Sequence, residues 1–494
     1  TYTAKAGKMG ITNEGTIENG SHTAETGAMT ITNRGKLSAG TYTAKAGTMD
    51  ITNEGTIENG TYTARGDLTY TDIAKSSLTD GTLISEEGKA KITAHGVLQI
   101  KKLSAKNSAT VEVDQDVTLT EAEAGTLAIS SGGSVKADTL TATAGDASVT
   151  AKTDATIGTL TAEAGSATIE ATEGKLDVTT LNAKKHAELT SGSDMVLHAA
   201  EAGGKLTADA GGSISVKGTD AKIAAADITM RAGEDIRITD RSPVGKLDGV
   251  DTSLPAGSTT GSGAAGSLVT GEAKPHDFDV SGKGSALLSS AGGKVTLSAK
   301  KVEIDTLKNG EGNAADLTIS ADNIGIDDLA GVGAQHVTIL GANGQSQAHY
   351  AGIHSTAEGG TLVKDSKVEH LELTGREPLG LSNTAIGGDS VLATDKIRVT
   401  IQKNPGSRQA EHFGNLSLSG YDIATDHVMT SVKDGLTVNG ERFPMTAESV
   451  MNASLYEDRT LGRDGREKEE ETEKESPSLA FGAPNDKEAY EVVK

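Results

Sequence analysis

The first sixty residues contain one unit written three times: Thr1–Gly20 (TYTAKAGKMGITNEGTIENG), Ser21–Gly40 (SHTAETGAMTITNRGKLSAG) and Thr41–Gly60 (TYTAKAGTMDITNEGTIENG), with a fourth copy opening at Thr61 as TYTARGDL. A repeat of ~20 residues is the signature of a stacked architecture, in which one unit cannot bury its apolar face alone and its neighbours complete the core. Within each unit, apolar and polar residues alternate with period two, which selects strands over helices. Each unit is therefore expected to form one coil of a right-handed parallel β-helix (β-solenoid).

Alternation assigns the faces. With Lys5 outward, Thr1 and Thr3 also point out, while Tyr2, Ala4 and Ala6 point in; Gly7 turns the chain, Met9 and Ile11 fill the second strand, Gly15 turns again, Ile17 fills the third strand and Gly20 closes the coil. Stacking at ~4.8 Å then aligns equivalent residues in columns. Asn13, Asn33 and Asn53 form an expected asparagine ladder at a corner, with amides hydrogen-bonded along the axis. Lys5, Glu25 and Lys45 alternate in sign, as do Glu14, Arg34 and Glu54, which places opposite charges across neighbouring strands.

Composition bears on the core and on partners. Only 35% of residues are hydrophobic and 2% aromatic, with no Trp and four Phe, so any core must be thin and continuous rather than globular. A net charge of −23 disfavours nucleic acid or anionic lipid as partners, since both require basic patches, and no nucleic-acid partner is expected. The absence of cysteine removes disulfides and thiolate metal sites and fits a protein that crosses a bacterial envelope unfolded. No run of ~18 apolar residues marks a membrane helix, and no signal peptide opens the chain, as expected of a fragment or mature product.

Along the chain, Ala-Gly corners at Ala124-Gly125, Ala144-Gly145, Ala164-Gly165 and Ala202-Gly203 extend the regular solenoid over 1–241. Pro243, Pro255, Pro275 and the Gly/Ser/Thr-rich run Gly257–Gly266 mark 242–284 as a loop or linker. A less regular solenoid follows over 285–440, with irregular corners such as Ala342–Gly352. The acidic segment 441–494 lacks apolar periodicity and reads as a mostly disordered tail.

Short alternating strands, Ala-Gly and Gly-Gly corners, missing cysteine and scarce aromatics over 1–440 resemble the filamentous haemagglutinin-type large exoproteins. The resemblance implies a C-terminal fragment of an adhesin exported by two-partner secretion through an outer-membrane pore and displayed outside a Gram-negative-type bacterium. Its implied partners are a host-cell receptor, an integrin among the candidates, or a surface glycan. It also implies an alternative, the stalk of a contact-dependent toxin-delivery exoprotein. Members of the family carry Arg-Gly-Asp triplets, and Arg65-Gly66-Asp67 here replaces the corner Lys45-Ala46-Gly47, which would present a guanidinium and a carboxylate at an exposed turn.

The competing class is a polysaccharide-active β-helix enzyme, which needs a carboxylate cluster and aromatic sugar platforms. Asp327-Asp328 is the best pair, but adjacent strand residues face opposite ways. His186, His198, His276, His336, His349, His354, His370 and His412 lack helix-type ligand spacing and are assigned to solvated or corner positions. The expectation is therefore non-enzymatic, with no cofactor and no metal. The outward Thr1/Thr3, Thr41/Thr43 and Thr61/Thr63 pairs are read as ordinary exposed strand residues rather than an ice-binding face.

Overall fold

The computed structural model describes residues 1–73, 76–218, 221–239, 287–290, 295–309, 315–331, 335–342 and 347–375. Beyond these it describes 379–382, 384–386, 388, 390–393, 396–400, 413–419, 422–426, 432–438, 441–443 and 480–482. The fold is all-β, a parallel β-solenoid with coils of roughly 20 residues. It divides into two units, one of Thr1–Val216 with Asp220–Gly233, the other of Lys217–Thr219 with Glu234–Lys494. Among the described residues no helix is long and apolar enough to cross a membrane. The segment 242–284 lies outside the described residues.

In the first unit each N-terminal coil has three short strands: β1 (Tyr2–Ala4), β2 (Met9–Asn13) and β3 (Thr16–Glu18), then β4 (Ser21–Ala24), β5 (Met29–Asn33) and β6 (Lys36–Ser38), then β7 (Thr41–Ala44), β8 (Met49–Asn53) and β9 (Thr56–Glu58). β10 (Thr61–Ala64), β11 (Leu68–Asp72) and the first part of β12 (Ser77–Ser85) form the fourth coil, and β12 runs on to open the fifth, where Thr82–Ser85 pair with β10. Each strand pairs in parallel with its equivalent one coil on, as in Met9↔Met29↔Met49 and Ile11↔Ile31↔Ile51. One column runs unbroken through Tyr2, His22, Tyr42, Tyr62, Leu83, Leu103, Ala122, Leu140, Leu160, Leu181, Ala200 and Ile223. Alternation produces this core: in Ala147–Ala151 every second residue, Ala147, Val149 and Ala151, is buried.

The head of the column is aromatic. Tyr2, His22, Tyr42 and Tyr62 stack with centroids 5.2, 5.0 and 4.9 Å apart, an offset set by the coil rise itself. The rings dictate the coil-closing glycines: a Cβ on Gly40 would lie 2.6 Å from the Tyr42 ring, and one on Gly60 at 2.6 Å from that of Tyr62. Gly20, Gly40 and Gly60 are thus there for close approach. The left-handed conformation that closes the coil falls one residue earlier, at Asn19, Ala39 and Asn59, with φ of 53°, 50° and 50°.

One face assignment is corrected. Ala6 and Ala46 are exposed, not inward, because the first strand ends at Ala4 or Ala44 and the corner begins at the next residue. Period-two alternation stops where the strand does.

The second unit repeats the scheme with less even coils. Its strands include Lys301–Asn309, Asn323–Ala330, Ala348–Ser355 and Lys367–Gly375, and the column Ile304↔Ile326↔Ile353↔Leu373↔Leu392 forms its core. The expected corner Ala342–Gly352 is partly strand, since Ala348–Ser355 begins within it. In the segment 441–494 the described residues are two short strands. Glu441–Phe443 pairs antiparallel with Val432–Val438, and Ala480–Gly482 pairs parallel to Asp422–Asp426.

Candidate functional site

The asparagine column is a buried hydrogen-bonded chain. Asn13 Nδ2 donates to Asn33 Oδ1 at 2.7 Å and Asn33 Nδ2 to Asn53 Oδ1 at 2.8 Å, while the same nitrogens reach the carbonyls of Lys36 and Thr56 at 3.0 and 3.1 Å. Gly15 N and Gly55 N donate to the Oδ1 atoms of Asn13 and Asn53, so each amide uses both ends. In the fourth coil the column changes residue type. Asn53 Nδ2 meets Tyr70 Oη at 3.0 Å and Asp72 Oδ1 at 3.4 Å, with Asp72 only 1% exposed. Burial pushes the Asp72 carboxyl up to about 6, against the opposing pull of the Asn53 amide, His95 and the Gly96 N–H. Burial, and then the Asp72 charge, raises the Tyr70 hydroxyl.

The Arg65-Gly66-Asp67 corner joins β10 to β11, and Arg65 and Asp67 are exposed. Both charges are engaged by the next coil. Arg65 Nη2 lies 3.2 Å from Glu87 Oε1, which raises the guanidinium and lowers the carboxyl, and Asp67 Oδ1 accepts the Lys89 N–H at 2.8 Å.

That last contact recurs as a structural device. Asp116, Asp146, Asp154 and Asp194 each stand immediately before a strand, and each Oδ1 accepts the backbone N–H of the equivalent residue one coil on: Ser134, Ser166, Lys175 and Ser213, at 2.7 to 3.1 Å. His186 plays the same part with Nδ1 and Lys205 N at 3.0 Å. Beside each such donor stands a glycine, and a Cβ there would fall 2.4 to 2.5 Å from the carboxylate, as at Gly88, Gly133, Gly165, Gly174 and Gly212. An aspartate before one strand and a Gly-X pair before its equivalent in the next coil form the sequence signal, which strand alternation alone does not reveal.

The charge columns are surface ion pairs. Arg34 lies 3.6 Å from Glu14 and 3.2 Å from Glu54, and Lys45 lies 3.0 Å from Glu25. Their partial exposure limits each to a few tenths of a kcal/mol, by the ~0.2–1 kcal/mol found for such pairs.

Asp327 and Asp328 are both half-buried inside the strand Asn323–Ala330, between the buried Ile326 and Leu329, where the pairing with the next coil shifts register. They therefore do not face opposite ways as alternation predicts, and Asp328 Oδ1 accepts the Thr356 hydroxyl at 2.5 Å. His276 and His412 lie outside the described residues. His354 contacts Thr374, and His336 lies near Asp316 and Lys364. His349, Glu369 and His370 meet across two adjacent coils. His349 Nδ1 is 2.6 Å from Glu369 Oε2, His370 Nε2 is 3.8 Å from Glu369 Oε1, and the two imidazoles stand edge to face at 5.4 Å.

Compared with protein-family models, curated proteins and solved structures, the chain matches none of them.

Proposed function

We propose that this chain is the shaft of an extracellular rod-like adhesin, whose work is reach and whose outer faces make the contacts. The observation that supports this reading is the unbroken column from Tyr2 to Ile223 in the first unit. Its eleven coil-to-coil steps of ~4.8 Å carry the same cross-section over roughly 50 Å. A cross-section that repeats this often serves extension, and polar outward residues such as Thr43, Thr63 and Thr150 leave its sides wet. The Arg65-Gly66-Asp67 corner is a weaker basis for adhesion, since Glu87 and Lys89 already hold its two charges.

The test is attachment of mammalian or bacterial cells to surfaces coated with the full chain. Saturable attachment, competed by the same protein in solution, is expected, with Asp67→Glu protein retaining it. Attachment no greater than to an albumin-coated surface, for both cell types, would remove the adhesin reading.

A further inference from the structure

We propose that His349, Glu369 and His370 bind one divalent transition-metal ion of the zinc class, which ties two neighbouring coils of the second unit together. The donor set is two imidazoles and a carboxylate, the combination that suits Zn²⁺ and its neighbours rather than the all-oxygen cations Mg²⁺ and Ca²⁺. One ligand atom from each residue lies within 4.8 Å of the other two. Ligand atoms bound at ~2.0–2.2 Å around a tetrahedral ion stand roughly 3.4 Å apart, so small side-chain rotations close the site.

The scaffold fixes these three side chains. Ala348↔Val368 and Tyr350↔His370 are register partners, which sets His349 directly across from Glu369. The donors thus come from paired strands, a rigid support for coordination. Glu369 and His370 are consecutive in sequence yet both are half-buried, the alternation of burial being interrupted between the buried Val368 and Leu371. Glu369 stands between the rings, with Oε2 toward His349 and Oε1 toward His370. The backbone N–H of His349 donates to the Asp322 carbonyl at 2.8 Å, which anchors the main chain at this ligand. On the following coil Gly388 leaves room for the His370 ring, since a Cβ there would lie 2.6 Å from its Cε1.

The three side chains are 34 to 42% exposed, which gives an ion a path in and leaves a coordination position facing solvent. In a helix the ligand spacing would be three or four residues. In a solenoid it is one coil, and His349 and Glu369 are 20 residues apart.

Equilibrium dialysis of the full chain against Zn²⁺, in excess Mg²⁺ and Ca²⁺, tests the site. One zinc per chain is expected, and Glu369→Gln, His349→Ala and His370→Ala should each weaken it by about tenfold or more. His354→Ala, on the same strand but outside the cluster, should leave binding unchanged. Glu369→Gln is the decisive variant because it keeps the side-chain shape, and circular dichroism confirms that its strands persist. Zinc binding that is absent from the native chain, or equal in the native chain and in strand-retaining Glu369→Gln, overturns the proposal; the second result would mean scattered adsorption to an acidic surface.

Discussion

Asn33 Nδ2 donates to Asn53 Oδ1 at 2.8 Å across one coil step, and both side chains are completely buried. The bond joins coils rather than residues within a coil, so it belongs to the stacking energy of the solenoid. Asn33 also accepts from Asn13, which makes it the middle member of the chain. A buried amide pair adds modestly when made, but an orphaned partner carries its whole desolvation penalty.

Asn33→Ala should therefore cost more than one hydrogen bond. It leaves the Asn13 Nδ2 short of an acceptor and the Asn53 Oδ1 short of a donor, for an expected loss of about 2–3 kcal/mol. The loss should be local to the first three coils. Hydrogen exchange of amides in β2, β5 and β8 is the measurement, and undiminished protection there would show that the ladder contributes nothing to stacking.

The far end of the ladder should respond to pH. The Asp72 carboxyl rises to about 6 in the fold, against ~3.9 in an unfolded chain, so the fold favours its neutral form. Its contribution to stability is fully present below about pH 4 and is lost as pH rises through about 6. Asp72→Asn, which keeps the shape and continues the ladder chemistry, should raise the stability of the third and fourth coils by about 1–2 kcal/mol at pH 7 and by little at pH 4. Protection of the β8 and β11 amides at the two pH values checks this. Equal effects at both would mean that Asp72 does not titrate in that range.

These relationships differ in how far the sequence discloses them. The Asn13, Asn33 and Asn53 column is legible because three near-identical units fix its register, and the buried chain of amides lies along it. The Tyr2–His22–Tyr42–Tyr62 stack is present in the same letters, yet alternation says only that these rings point inward, not that the coil rise suits ring stacking. Ala6 shows a sharper limit: periodicity assigns a face but does not locate the residue at which a strand ends. His349 and Glu369 escaped for a different reason. Coil lengths in the second unit vary, so the residue one coil away cannot be counted off without the strand pairing. The break in alternation that leaves both Glu369 and His370 half-buried has no signature in a period-two pattern, and the same is true of Asp327 and Asp328.

The aspartate that caps the next coil supplies a test of coupling between side chain and glycine. Asp194 Oδ1 accepts the Ser213 N–H at 3.1 Å, and a Cβ on Gly212 would lie 2.4 Å from that same oxygen. Backbone atoms stand farther away, at 3.1 Å for Ser193 C and 3.2 Å for Asp194 N, so the carboxylate is the main obstacle. Gly212→Ala should force the carboxylate aside and strip Ser213 of its acceptor, at a cost of about 2 kcal/mol. Asp194→Ala loses the acceptor together with the contact to Lys175, an exposed pair at 3.8 Å, for about 1 kcal/mol. In the double variant the obstacle is gone before the methyl arrives. Its cost should then fall short of the sum of the singles by at least about 0.5 kcal/mol, the size of coupling expected of residues in contact. Urea unfolding of the four proteins gives the cycle. Strict additivity would mean that the glycine serves the backbone approach rather than the aspartate, and the Asp-Gly pairing along the column would then be a coincidence of corner composition.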